Sequence, residues 1–330
     1  MTQNYHNLDQ IPETALRWHE AGKGAAIATV VSTWGSAPRA AGSQMVVSRA
    51  GDMVGSVSGG CVEAAVVSAA QDTLDDGQPR LLGFGVADET AFAVGLACGG
   101  RIEVLVEPIG VHAPAIAPSL LSALVAARAA RRPVACRTDL ETWERQLLDP
   151  ASPGEGKVMV SGRDADGQML TLYAPPLRLI VIGAVHISQM LVPMAQMAGF
   201  APIIIDPRPA FAAATRFAGA EVLEDWPDVA LARLAPDTSS AVVTLTHDAK
   251  IDDPAIVAAL QSDVFYLGCL GSRRTHAQRL DRLRALGLTQ VQCARIHGPV
   301  GLPIGARGPA EIAVAILAQI IAQRRTGQTV

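Results

Sequence analysis

Cysteine is scarce and unpaired: five residues, at positions 61, 98, 136, 269 and 293, form an odd count with no Cys-x-x-Cys spacing. That excludes a disulfide framework and a zinc site of knuckle type, so any cysteine with a function acts as a lone thiol. Aromatic residues are few, at 4%, whereas the hydrophobic share reaches 49% and is drawn mainly from Ala, Val, Leu and Ile. Such a composition suits buried parallel strands under alanine-rich helices and speaks against a sandwich or barrel. There is no basic surplus, the formal charge being −4, so nucleic acid is not an expected partner. No uncharged apolar run reaches the length of a membrane span, and the opening "MTQNYHNLDQIPETALRWHE" lacks the basic-then-apolar order of an export signal. A cytoplasmic protein without membrane contact is expected. No catalytic triad, paired carboxylates or metal-ligand cluster is recognisable, which makes a free-standing hydrolase the least attractive class.

What is present is an α/β pattern long enough, at 330 residues, for two domains. The first, residues 1–140, reads as an N-terminal α/β domain. It has a helix near 8–21, a strand in "AAIATVVSTWG", a hairpin in "SQMVVSRAGDMVGSVS" and a helix over 61–76. Strands in "PRLLGFG" and "RIEVLVEPI", a helix near 113–131 and a strand in "PVACRTDL" complete it. Residues 141–176 lose periodicity and collect Pro, Gly, Asp and Ser, as an interdomain linker with room for one hairpin would. From 177 to 330 apolar strands alternate with helices, at 186–198, in "PAIVAALQS", at 273–286 and at 309–324. This rhythm predicts a Rossmann-like, doubly wound parallel sheet.

The stretch "GSVSGGCVEAA", residues 55–65, sets Cys61 after two glycines and before a helix. With Ser58 as N-cap, Cys61 falls at the third helical position, where orphan N–H groups and the positive end of the dipole stabilise a thiolate. Gly59 and Gly60 let the backbone turn sharply and approach a ligand. The alternative for Cys61 is a small apolar residue facing the core. Glu63 belongs to the same turn and is counted among its candidate ligand contacts. Cys98, Gly99 and Gly100 form a second glycine–cysteine turn, "ACGG", which can face the first across one pocket. In "TWGSAPRAAGS", Ser36 offers a hydroxyl and Arg39 a guanidinium suited to phosphate or carboxylate, the alternative being a solvated surface charge.

The second half carries a weaker signal. A dinucleotide fingerprint needs three glycines, and the run here, from Gly183 through Val185 and His186 to Ser188, keeps only the first. Val185 stands where backbone would approach a pyrophosphate. Asp206, at the end of the following strand, is where a ribose-binding carboxylate belongs, with Arg208 beside it able to favour a 2′-phosphate. His186, His247 and the "LGCLGSRR" edge, with Gly271, Ser272 and Arg273, lie at carboxyl ends of strands and are candidates for binding an anion together.

Taken with "GSAPRAAGSQMVV", "GSVSGGCVEAAV", "GLACGG", "VIGAVHIS", "YLGCLGSRR" and "GPVGLPIGARGPAEIAVAILAQIIA", the chain resembles the xanthine dehydrogenase accessory proteins of the XdhC family. The resemblance covers nearly the whole chain outside the linker. It implies a cytoplasmic chaperone that binds molybdenum cofactor, supports its sulfuration through a cysteine desulfurase and delivers it to a molybdenum hydroxylase such as xanthine dehydrogenase. A homodimer is expected, and in the chaperone reading the two domains close around the pterin. Cys61 would contact the molybdenum or relay its sulfur, a soft thiolate suiting that metal, and the molybdopterin phosphate would meet Arg39, Ser36 and the glycine turns. The family usually carries a second glycine where this chain has Val185, which weakens any nucleotide role. Two other classes compete: an NAD(P)-dependent oxidoreductase, argued from the second sheet and Asp206, and a scaffold that only docks proteins.

Overall fold

The computed structural model describes residues 10–35, 39–85, 100–150, 159–164 and 166–326. Ser36, Cys98 and Gly99 therefore lie outside the described residues, and the proposed facing of the two glycine–cysteine turns lies there with them. The chain divides into two compact units that meet in sequence between Pro175 and Pro176.

The first unit is built on β1 (Ala26–Trp34), β2 (Gln44–Val47), β3 (Met53–Gly55), β4 (Arg80–Phe84) and β5 (Arg101–Pro108). They form one sheet in the order β3-β2-β1-β5-β4, antiparallel at every pairing. The parallel strands expected from composition are thus confined to the second unit; here a short Ser48–Asp52 turn returns the chain beside itself. Helices α1 (Ile11–Glu20), α2 (Glu63–Asp76) and α3 (Pro118–Ala129) supply the covering layers. Because successive side chains of a strand face opposite ways, Ala26, Ala28 and Val30 of β1 pack with Val62, Val66 and Ala70 at α2. Ile27 packs instead with Ile11, Ala15 and Leu121 of α1 and α3. Burial on both faces makes β1 read as a continuous apolar run.

The segment expected as a linker contributes structure. With β6 (Val134–Thr138), strands β7 (Arg145–Leu148), β8 (Gly162–Arg163) and β9 (Met169–Tyr173) form an antiparallel sheet in the order β7-β6-β9-β8. Val31, Leu105 and Met169 join it to the first sheet's core. Asp164 and Gly167 form the tight turn between β8 and β9.

The second unit carries β10 (Leu177–Ile182), α4 (His186–Met197), β11 (Phe200–Ile205), β12 (Glu221–Leu223), α5 (Pro227–Leu234) and β13 (Ser240–Thr244). These are followed by α6 (Ala249–Leu260), β14 (Tyr266–Cys269), α7 (Arg273–Ala285), α8 (Gln290–Cys293), β15 (Ile296–His297) and α9 (Pro309–Thr326). The sheet is parallel throughout, in the order β12-β11-β10-β13-β14-β15. This is the doubly wound Rossmann order, with its switch point between β10 and β13. Leu179, Val181, Val243 and Ile204 pack towards α4 and α9, while Ile180, Ile182, Val242 and Ile205 pack towards α5, α6 and α7. Helix α6 begins five residues earlier than its Pro254 suggests, because Asp248 caps it by accepting from Lys250 N–H at 2.9 Å. Among the described residues no helix is long and apolar enough to cross a membrane.

Candidate functional site

The turn between β3 and α2 differs from its expected form. The helix starts at Glu63 with Val62 as N-cap, so Ser58 is not the cap and Cys61 stands one residue before it, outside the first turn. The cause is Glu63 itself. Its Oε1 accepts from the Ser56 hydroxyl at 2.6 Å and from the N–H groups of Val57 at 3.2 Å, Ser58 at 2.9 Å and Gly59 at 3.1 Å. Its Oε2 accepts from the Ser58 hydroxyl at 2.5 Å and from Gly60 N–H at 2.8 Å. Gly59 and Gly60 sit at φ of 80° and 120°, conformations open to glycine, and such a turn aims successive amides into one concave anion receptor. Ser58 is buried and also accepts from Val62 N–H at 2.9 Å.

The electrostatics follow from this geometry. Burial pushes the Glu63 carboxyl upward, but the hydrogen bonds from Ser56, Ser58 and the turn's backbone more than reverse that and hold it at about 2. The residue is an ionised, almost fully buried carboxylate, 7% exposed. Cys61 is half-buried against the α2 core, and Arg39, exposed, donates from Nε to the Ser56 carbonyl at 3.2 Å. Turn, thiol and guanidinium thus belong to one local structure. Gly100 is buried immediately before β5.

Other thiols are situated differently. Cys136 and Cys269 are buried, and desolvation pushes each thiol up to about 11; Cys293 is buried as well. Of the four described cysteines, Cys61 alone is not buried.

At the carboxyl edge of the Rossmann sheet the expected ligand groups are engaged within the chain. Asp206 is fully buried; it accepts from Ala184 N–H at 2.8 Å and pairs with Arg208 at 2.7 Å, Arg208 also donating from Nε at 2.8 Å and from its backbone at 3.0 Å. Burial opposes its ionisation, but the Arg208 and Ala184 donors outweigh it and hold the carboxyl below its ordinary range. The carboxylate expected to grip a ribose is therefore a brace between the β10 turn and the end of β11. Gly183, at φ 112°, donates to the Ile205 carbonyl at 2.8 Å, and a Cβ there would lie 2.8 Å from Thr246 Cγ2. Its glycine character is required by packing against the β13 loop. His186 opens α4 and is exposed, as is His247. Ser272 caps α7 by accepting from Thr275 N–H at 3.1 Å, Gly271 precedes it at φ 145°, and Arg273 opens the helix, exposed. β13 separates this edge from the β10 turn.

Two buried charge clusters had no signature in the sequence. Glu107 of β5 and Arg145 of β7 form an ion pair at 2.6 Å with both side chains 7% exposed. Arg279, 2% exposed, donates from Nη2 to the Leu270 carbonyl at 2.8 Å, while its Nε and Nη1 and the Oδ2 of buried Asp252 have no hydrogen-bond partner among the described residues. Among the described residues no group of three or more His, Cys, Asp or Glu side chains is arranged to hold a metal ion.

Comparison with known proteins gives the chain its place. Residues 179–320 match the family described as the XdhC Rossmann domain, and residues 18–85 match the XdhC and CoxI family. The chain is 32% identical over 304 residues to the Escherichia coli K12 molybdenum cofactor insertion chaperone PaoD, which covers 92% of this chain and 85% of that protein. It is 28% identical over 315 residues to a Bacillus subtilis 168 protein described as a probable xanthine dehydrogenase subunit, covering 91% and 93% respectively. A crystal structure from Bacillus halodurans, described as a xanthine dehydrogenase, superposes with a TM-score of 0.78 at 26% identity over 96% of both chains. With the Rossmann order observed in one unit and the glycine–cysteine turn in the other, the chain belongs to the XdhC family.

Proposed function

We propose that this protein is an accessory chaperone that binds molybdenum cofactor as cargo and inserts it into a molybdenum hydroxylase of the xanthine dehydrogenase class. The observation that carries the reading is Cys61: the one described cysteine that is not buried, placed on a turn fixed by six hydrogen bonds to Glu63. A lone accessible sulfur suits a soft metal centre or a sulfur passed to it. The exposed guanidinium of Arg39 suits the pterin's phosphate. PaoD, named for molybdenum cofactor insertion, supports the cargo, and the relatives named for xanthine dehydrogenase support the client. Sulfuration of the cargo, with a cysteine desulfurase as donor, belongs to the same proposal.

The test is retention. Full-length protein incubated with molybdenum cofactor and desalted should keep molybdenum and pterin fluorescence in equal amounts, and Cys61→Ala should lose both. Equal retention by the alanine variant would remove Cys61 from the function.

A further inference from the structure

We propose that Glu63 is the positioning residue of the glycine–cysteine turn: it supplies, from within the chain, the anion around which residues 56–60 wrap, and so fixes where Cys61 stands. The proposal rests on the reading above that Cys61 meets the cargo. Both neighbours of Cys61 are held by this carboxylate. Gly60 N–H donates to it directly. Val62 N–H donates to the Ser58 hydroxyl, which in turn donates to Glu63. The residue between them has little backbone freedom left.

The same geometry revises where the cargo's phosphate is held. Amides in such a turn would grip a phosphate, but an external anion has to displace a carboxylate already tethered at the correct distance, which loses no translational freedom on binding. The turn is therefore an anion receptor closed by its own chain. Its amides orient the thiol, and Arg39, whose Nε rests on the Ser56 carbonyl, is the exposed donor beside it.

The experiment uses the full chain with Glu63→Gln and Glu63→Ala. It reads hydrogen exchange of the Val57 to Gly60 amides, the alkylation rate of Cys61 by iodoacetamide, and retention of molybdenum and pterin, with circular dichroism reporting the fold. Glu63→Gln, which puts an N–H donor where donors converge, should speed exchange and reduce retention by roughly ten-fold or more. In Glu63→Ala, added acetate should restore slow exchange and retention; in Glu63→Gln, where the carboxamide fills the receptor, it should not. Loss of packing alone would not respond to acetate. Wild-type exchange in Glu63→Gln, or faster exchange with retention unchanged, overturns the proposal. Should Cys61→Ala retain cargo, the underlying reading fails, and exchange with acetate rescue still decides whether Glu63 holds the turn. If neither Glu63 variant folds, carbon NMR titration of the wild-type Glu63 carboxyl decides: a midpoint at about 2 supports the proposal and one at the ordinary 4.5 overturns it.

Discussion

Replacing Glu63 by Gln separates the carboxylate's charge from its shape, and the pH dependence of the stability gap reads out the hydrogen bonds of the turn. Although burial opposes ionisation, donors from Ser56, Ser58 and the backbone hold the folded carboxyl at about 2, against an ordinary 4.5. A group whose folded pKa lies below its unfolded value stabilises the fold fully above the unfolded value, and loses that contribution as pH falls through the folded one. At about 1.36 kcal/mol per pH unit, the contribution is about 3 kcal/mol, complete above pH 4.5 and gone below about pH 2. Urea unfolding of wild type and Glu63→Gln should therefore show a gap that narrows by about 3 kcal/mol between about pH 5 and about pH 2. Asp206, Asp76 and Asp139 also carry lowered values, but they titrate alike in both proteins and cancel in the difference. A gap that stays constant across the acid range would mean that the turn does not select the ionised form, and the reasoning would fail.

Four further outcomes are expected. Asp206→Ala removes the acceptor of Ala184 N–H and the partner of Arg208, and should cost roughly 2–4 kcal/mol in urea unfolding, the half-exposed Arg208 softening the loss. Calorimetric titration of the wild type with NAD(H) and NADP(H) should give no heat, because that carboxylate has no free acceptor for a ribose; a sub-millimolar affinity would contradict this. Arg145→Met leaves Glu107, which burial already pushes upward despite Arg145, without its cation; a loss of roughly 3–5 kcal/mol is expected, and one within about 1 kcal/mol of wild type would show that the pair contributes little. Finally, peptide mapping after brief exposure to a thiol reagent should find Cys61 labelled in the native state, and Cys136, Cys269 and Cys293 labelled only after denaturant; native labelling of any buried thiol would refute the assigned burial.

The parallel sheet was legible because its strands are buried on both faces, which writes each as an apolar run punctuated by helices; "LRLIVIG" and "SSAVVTL" became β10 and β13. In the first sheet the antiparallel β2–β3 hairpin was legible from its alternation around Gly51-Asp52, but the direction of β1 against its neighbours was not, since β1 is covered on both faces too and so carries the same signature as a parallel strand. Between 141 and 176 one hairpin was allowed for, and β8 pairs with β9 there, but neither the strand positions nor the pairing of β7 with β6 was legible, because these strands are short and set among turn residues. At the site, the glycines and Cys61 stood out by spacing, while the role of Glu63 did not. A carboxylate at the first helical position reads as ordinary dipole stabilisation. Only the left-handed conformations of Gly59 and Gly60 bring the preceding amides back onto it. Likewise Arg208, two residues after Asp206, offered itself as a second ligand contact when it is the aspartate's partner.

These two cases share one physical logic. In each, the sequence offered a group suited to an external ligand, an amide receptor at 57–60 and a carboxylate at 206, and in each the chain supplies the counterpart from within two to six residues. A partner tethered that closely has an effective concentration far above that of any diffusing ligand, so it wins unless the ligand brings much stronger contacts. Ser272, whose hydroxyl caps α7, follows the same pattern. On the proposed reading, ligand chemistry then falls to side chains that local partners leave accessible, among them the thiol of Cys61 and the outer guanidinium of Arg39. Such internally satisfied turns would keep their shape with or without cargo, as the proposed handover of a cofactor requires.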